Sequence, residues 1–161
     1  MIIRAARPAD HAAIIRLLAA AFCGPDEARL VDRLRADGAA AIELVAEQGG
    51  GIVGHILLSP VEAPFRALAL APVAVAPERQ RTGIGSALIE AAHGIARDDG
   101  WIAVFVLGEP AYYCRFGFDP ALAAGFASPY AGPYFMVLAL DGELPTRSGR
   151  VEHAAAFASL A

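Results

Sequence analysis

The chain has 161 residues, 57% of the hydrophobic class and 19% charged: enough apolar material for one packed domain and too little charge to stay disordered. Its net charge of −4 excludes the broad basic surface that nucleic acid requires, and because all 13 cationic side chains are arginine, lysine-based phosphate loops and Schiff bases are excluded too. The mean hydropathy is +0.48, yet the longest apolar run, residues 67–77, is far shorter than the roughly 20 residues of a membrane span.

Met1 to Ala5 is predicted as a short strand. The apolar run from Ala12 to Phe22 is interrupted by Arg16 and ends on a bulky residue before Cys23, which argues against a leader peptide. It reads instead as a helix with Asp10 as N-cap and with Ile14, Leu17, Leu18 and Ala21 at helical spacing. Cys23-Gly24-Pro25 breaks it, and Asp26 to Ala36 is a second amphipathic helix ended by Gly38. Ile42–Glu47 and Ile52–Leu58, joined by Gln48-Gly49-Gly50-Gly51, predict an antiparallel hairpin, and Ala67 to Val75 a further strand containing a proline. Gly83 to Asp98 is a helix whose apolar stripe is Ile84, Leu88, Ala92 and Ile95, with Ile89 and Ala96 beside it. Trp101 to Leu107 is nearly all apolar, as a strand covered on both faces requires. A short helix around Pro110–Phe116, closed by Gly117, and a strand at Phe135–Leu140 complete an α/β (α+β) mixed sheet. Residues 1–161 are read as a single domain acting in the cytoplasm. Cys23 and Cys114 lack CxxC spacing, and His11, His55, His93 and His153 are scattered, so neither a metal site nor a disulfide is expected.

The chemistry concentrates between Pro72 and Ser86. A strand ends at Pro77, and a polar turn, Glu78-Arg79-Gln80-Arg81-Thr82, leads into a helix through Gly83-Ile84-Gly85-Ser86. A helix N-terminus offers unpaired N–H donors and the positive end of a dipole, which suits a phosphate or diphosphate. Arg81 and Ser86 add a guanidinium and a hydroxyl. The two glycines on their own also fit plain helix–strand packing. A Rossmann fingerprint would need a third glycine where Leu88 stands.

The wider pattern resembles the acetyl-CoA motif of the GCN5-related N-acetyltransferases (GNAT): an apolar strand ending in Val-x-Pro, then Gln-x-x-Gly-Ile-Gly-x-x-Leu opening a helix. Tyr113-Cys114-Arg115-Phe116-Gly117-Phe118 keeps the family's Tyr-x-x-x-Gly-Phe spacing. The stretches 54–60 and 107–113, with the opening Ile3 to Asp10, resemble a YhbS-like branch of that family. The resemblance covers residues 1 to about 140. It implies a GNAT fold, a mixed central sheet with a splayed pair of strands flanked by about four helices. It also implies acetyl-CoA as co-substrate, with no metal. Val73, Ala74 and Val75 would run beside the pantetheine arm. Gln80, Arg81, Thr82, Gly83, Ile84, Gly85 and Ser86 would hold the diphosphate. Tyr113 would face the CoA sulfur as acid or hydrogen-bond donor, the alternative being a simple pocket wall. Tyr112 is expected to point elsewhere, as packing or a substrate contact, and Phe116 and Phe118 to lie in the core.

The resemblance implies transfer of acetyl to a primary amine, small molecule or peptide, by direct attack in a ternary complex, with no nucleic acid or membrane partner. A homodimer would be unsurprising for such a family. Two departures stand out. The chain has no asparagine to precede the tyrosine helix, Gly108-Glu109-Pro110 standing there instead, and Leu70 to Val75 holds no acidic residue. The base is therefore sought among Glu109, Glu62, His55 and Glu43, with Glu109 ranked first and Glu62 and Glu43 read as solvated. The rival reading is a non-catalytic acyl-CoA-binding module. A nucleotide-binding loop and an acyl-enzyme on Cys23 or Cys114 rank below it.

Overall fold

The structure, a computed structural model, describes residues 1–160. Six strands form one sheet in the spatial order Ile2–Ala5 (β1), Ile42–Gln48 (β2), Gly51–Val61 (β3), Ala67–Val75 (β4), Ala103–Leu107 (β5) and Phe135–Ala139 (β7). A second, two-stranded sheet pairs Phe126–Ala127 (β6) with Gly149–Arg150 (β8). Neighbours in the large sheet are antiparallel except β4 and β5, which run parallel. That parallel pairing is brief: only Ala67, Leu68 and Ala69 stand opposite Ala103, Val104 and Phe105. Beyond Ala69 the two strands part. A register shift against Ile56–Leu58 of β3 bends β4 there, and Pro72, which has no N–H to give a ladder, sits inside the bulge. The splayed pair implied by the resemblance is this fork.

The helices are α1 (His11–Phe22), α2 (Asp26–Ala36), α3 (Ile84–Asp98) and two single turns, α4 (Pro110–Tyr113) and α5 (Pro120–Ala123). α2 lies on the sheet face that carries Glu43 and His55, with α1 packed beside it, and α3 lies on the opposite face over Gly54; between them they bury Leu18, Val31, Leu34, Leu88 and Ile89. A separate core of Phe105, Phe126, Phe135, Val137 and Val151 fills the far end of the α1–α2 face. β5 therefore alternates between two cores, Val104 and Val106 toward one, Ala103 and Phe105 toward the other, as its unbroken apolar run requires. α3 lies close on β3 because Gly54 leaves room. A Cβ there would come within 2.8 Å of Leu88 and 2.9 Å of Ile84. No helix among the described residues is long and apolar enough to cross a membrane.

The structure corrects several local expectations. Asp10 does precede α1, but it makes no side-chain cap to that helix. Its carboxylate accepts from Arg4 Nη1 at 2.7 Å and from the Arg7 N–H at 2.8 Å, tying β1 to the helix entry. Ile95 is 38% exposed, and the buried stripe of α3 closes on Ala96. β3 runs on to Val61, β5 starts at Ala103 rather than Trp101, and α5, β6 and β8 were not anticipated. Phe118 is buried as expected, whereas Phe116 is half-buried.

Glu43 is not solvated. Its carboxylate accepts from Arg35 and lies 2.7 Å from Nε2 of the fully buried His55. Burial alone would raise the Glu43 pKa, but the His55 and Arg35 contacts outweigh it and hold the group down at about 2. His55 is thus satisfied on one side only, Nδ1 having no partner.

Buried His93 contributes a pH dependence. Its ring packs 5.4 Å from Phe118, and burial, aided by Arg97, lowers its pKa from 6.5 to about 4. Between those values the unfolded chain binds the proton and the folded one does not, so stability falls as pH drops from about 6.5 to 4. Stability by urea denaturation at pH 7 and pH 4.5 should show that loss. His93→Leu should remove a large part of it, leaving the share of His153, also lowered to about 4 by burial.

Candidate functional site

A cavity of about 460 Å³ opens at the mouth of the fork, walled by β4, the turn after it, the start of α3, and α4. The turn is built from local chemistry. Pro77–Arg79 forms a single 3-10 turn, the Thr82 hydroxyl donates back to the Arg79 carbonyl, and the Gln80 amide donates to the Val75 carbonyl at 3.3 Å. Arg81 takes a left-handed conformation at φ 64°, costing on the order of 1 kcal/mol for a residue with a Cβ. Gly83, at φ 89°, opens α3 with no side-chain cap. The first i→i−4 bond reported into α3 is Ala87 N–H to Gly83 C=O, so the N–H groups of Ile84, Gly85 and Ser86 are left for another partner. Ile84 itself is buried and anchors the helix start.

Three guanidiniums, Arg79, Arg81 and Arg115, line this cavity on a chain whose net charge is negative. With the helix dipole they make the mouth an anion site. Sequence reading missed Arg79 and Arg115 in this role. Arg115 folds back over the Tyr112 ring at 4.7 Å and over Phe116 at 5.1 Å, and no sequence spacing signals that packing.

Of the residues expected to meet the cofactor, Val73, Val75, Gln80, Arg81, Gly83, Ile84, Gly85, Ser86 and Tyr113 line the cavity. Ala74 and Thr82 do not. Strand alternation sends Ala74 into the core, and Thr82 spends its hydroxyl inside the turn. Tyr112, expected to point away, lies in the cavity wall, and its hydroxyl stands 2.8 Å from where a Cβ on Gly85 would be. The Tyr113 ring occupies the space of a side chain at position 108, 2.4 Å from a Cβ built there. Burial, with Tyr112 adding a little, pushes its phenol up to about 12, so it is a proton-bearing donor at neutral pH.

Glu109 is exposed and does not line the cavity at the fork; its backbone carbonyl accepts from the N–H groups of Tyr112 and Tyr113 and so nucleates α4. Glu62 is exposed, its backbone paired with Glu152. Cys23 and Cys114 are exposed free thiols. Among the described residues no group of three or more His, Cys, Asp or Glu could hold a metal ion.

Residues 40–120 match the family described as "Acetyltransferase (GNAT) domain". The chain is 36% identical over 125 residues to the uncharacterized N-acetyltransferase YhbS of Escherichia coli strain K12, covering 75% of each chain. It is 36% identical over 145 residues to the uncharacterized N-acetyltransferase YjhQ of the same strain, covering 81% of this chain and 80% of that one. The crystal structure of E. coli YhbS in complex with CoA superposes with a TM-score of 0.91 at 32% identity, over 98% of this chain and 91% of that one. A GNAT-family acetyltransferase of Brucella melitensis in complex with acetyl-CoA gives 0.83 at 37% identity, over 97% of both chains. With the forked sheet, the open helix start and the half-buried tyrosine in place, the chain belongs to the GNAT family of acetyltransferases.

Proposed function

We propose that the cavity at the fork binds acetyl-CoA and that the protein transfers its acetyl group to a primary amine by direct attack in a ternary complex. One observation carries this reading. A helix whose first amides have no partner begins beside Val75, at the open end of the gap that starts where β4 leaves β5, so one ligand can place a diphosphate on the helix and a thioester in the gap. The relatives solved with CoA and with acetyl-CoA support that assignment. The pantetheine arm runs along Val73–Val75, whose edge toward β5 is free. The diphosphate lies on the amides of Ile84, Gly85 and Ser86, with Arg81 and the neighbouring guanidiniums balancing its charge. The amine lone pair forms the new bond to the thioester carbon, and an N–H of the strand edge supports the oxyanion. The nitrogen, positively charged after attack, gives its extra proton to a base, and the C–S bond breaks with its electron pair going to sulfur, where the Tyr113 hydroxyl donates a hydrogen bond.

Titration calorimetry with CoA, followed by CoA release from acetyl-CoA across a panel of amines, tests the reading. Binding with turnover on at least one amine is the expected result. Absence of heat overturns the donor site, and binding without turnover across the panel favours the non-catalytic module. Gly85→Val should weaken CoA binding at least tenfold, because the new side chain meets the Tyr112 hydroxyl and covers the amides beside it. The same titration on this variant, with its melting temperature as a folding control, checks the effect.

A further inference from the structure

A second cavity, of about 260 Å³, lies at the apex of the fork, lined by Ala69 and Ala71 of β4, Phe105 and Leu107 of β5, and by Tyr130, His153 and Phe157. A third, of about 510 Å³, lies outside it and shares the same Tyr130, His153 and Phe157. His153 therefore forms part of the partition between the gap that receives the thioester and an outer chamber built by residues 127–130 and 150–158. This partition is fixed rather than loose. Glu152 exchanges both backbone hydrogen bonds with Glu62 at the end of β3, and the Val151 N–H donates to the Ala127 carbonyl beside the β6–β8 pair. The imidazole is further held by rings, 4.7 Å from Tyr130, 5.1 Å from Phe157 and 6.3 Å from Phe135. Its Nδ1 is sealed and without a partner.

We propose that the outer chamber is the acceptor site, that it takes a primary amine borne on an apolar body of aromatic size, and that His153 receives the proton the amine nitrogen sheds. This rests on the acetyl-CoA reading above. The chemistry of the walls selects the class. Rings and small apolar side chains dominate them, and Glu152, the acidic side chain among them, is engaged with Arg150, so a polycation finds no free carboxylate. The amine enters an apolar throat, which favours its uncharged form. Attack joins nitrogen to the acetyl carbon and leaves the nitrogen positively charged. Its proton passes to the imidazole, the C–S pair leaves with sulfur, and the proton then moves on to the thiolate or to water. Burial keeps His153 unprotonated at neutral pH, with a lone pair for this step. The ionisable groups facing it are Tyr130, Glu152 and Arg150. This side of the fork holds the acid–base group that the central strand lacks.

The test uses the whole protein with acetyl-CoA and two probes, 2-phenylethylamine and spermidine. Transfer to 2-phenylethylamine in preference to spermidine is expected. His153→Gln should lower kcat at least tenfold and flatten the acid limb of the kcat–pH profile, with the calorimetric affinity for CoA unchanged. Should that variant fold poorly, imidazole NMR of the wild type decides instead: in the CoA complex the His153 signals should move with 2-phenylethylamine and stay still with spermidine. A preference for spermidine, an unchanged profile in a folded His153→Gln, or unmoved His153 signals overturns the acceptor proposal alone. Absence of CoA binding by the wild type overturns the donor site and this proposal with it.

Discussion

Phenylalanine at position 113 is expected to slow acetyl transfer roughly 10²–10³-fold while leaving CoA affinity within about threefold, the scale seen when one preorganised donor is removed from a transition state. The argument turns on what the hydroxyl does. Burial pushes the Tyr113 phenol up to about 12, so it keeps its proton at neutral pH and is available as a donor. In the proposed reaction it donates a hydrogen bond to the leaving sulfur, and that bond strengthens as charge develops there. The ground state, with a neutral thioester, gains little from it, so the loss falls on kcat rather than on binding. The ring remains in Tyr113→Phe and still fills the space over Gly108, so the fold is preserved. Steady-state kinetics with saturating acetyl-CoA, paired with CoA calorimetry, check the result. A variant as fast as the wild type would reduce Tyr113 to a wall of the pocket.

The largest loss of stability is expected from Glu43→Ala, at about 3 kcal/mol in urea denaturation at neutral pH, the lower end for breaking a buried ion pair. Glu43 and Arg35 each keep only about a tenth of their side-chain surface exposed, 11% and 12%, and His55 keeps none. Removing the carboxylate leaves a largely buried guanidinium with only its 3.4 Å contact to the exposed Asp32, and leaves both nitrogens of a buried imidazole without partners. Replacing Arg35 as well, by methionine, should recover part of the loss, because the stranded charge rather than the lost attraction dominates. The sign with pH follows from the direction of the shift. Glu43 is held at about 2 against an ordinary 4.5, so its contribution is complete above pH 4.5 and fades as pH falls toward 2. Wild type and Glu43→Ala should therefore converge in stability in strong acid.

What could be read from sequence was what local chemistry encodes. The turn after Pro77 is legible because a proline, a left-handed glycine and the first amides of a helix lie within ten residues of one another. The same holds for the Gly49-Gly50 hairpin and the two-sided β5. Glu43 was misread because its partners, on α2 and β3, are brought to it only by packing. Arg115 was missed and Tyr112 misplaced because α4 is one turn long and passes into a 3-10 turn, so residues 112 and 113 both face the cavity where a longer helix would separate them. The role proposed for His153 has no sequence signal for a third reason. That histidine is held by strands of two residues and by a lone bridge to Glu62, elements too short to leave a periodicity.

The early parting of β4 from β5 bears on the protein's lifetime. A sheet unzipped after three residues keeps an interior seam with no strand to close it, and such seams are where native chains first breathe open. A ligand that closes the seam binds the folded state alone, so each molecule of bound cofactor also acts as a splint. Cellular proteases, which sample the opened population, would clear the empty protein first, and the supply of cofactor would set how much enzyme persists as well as how fast it works.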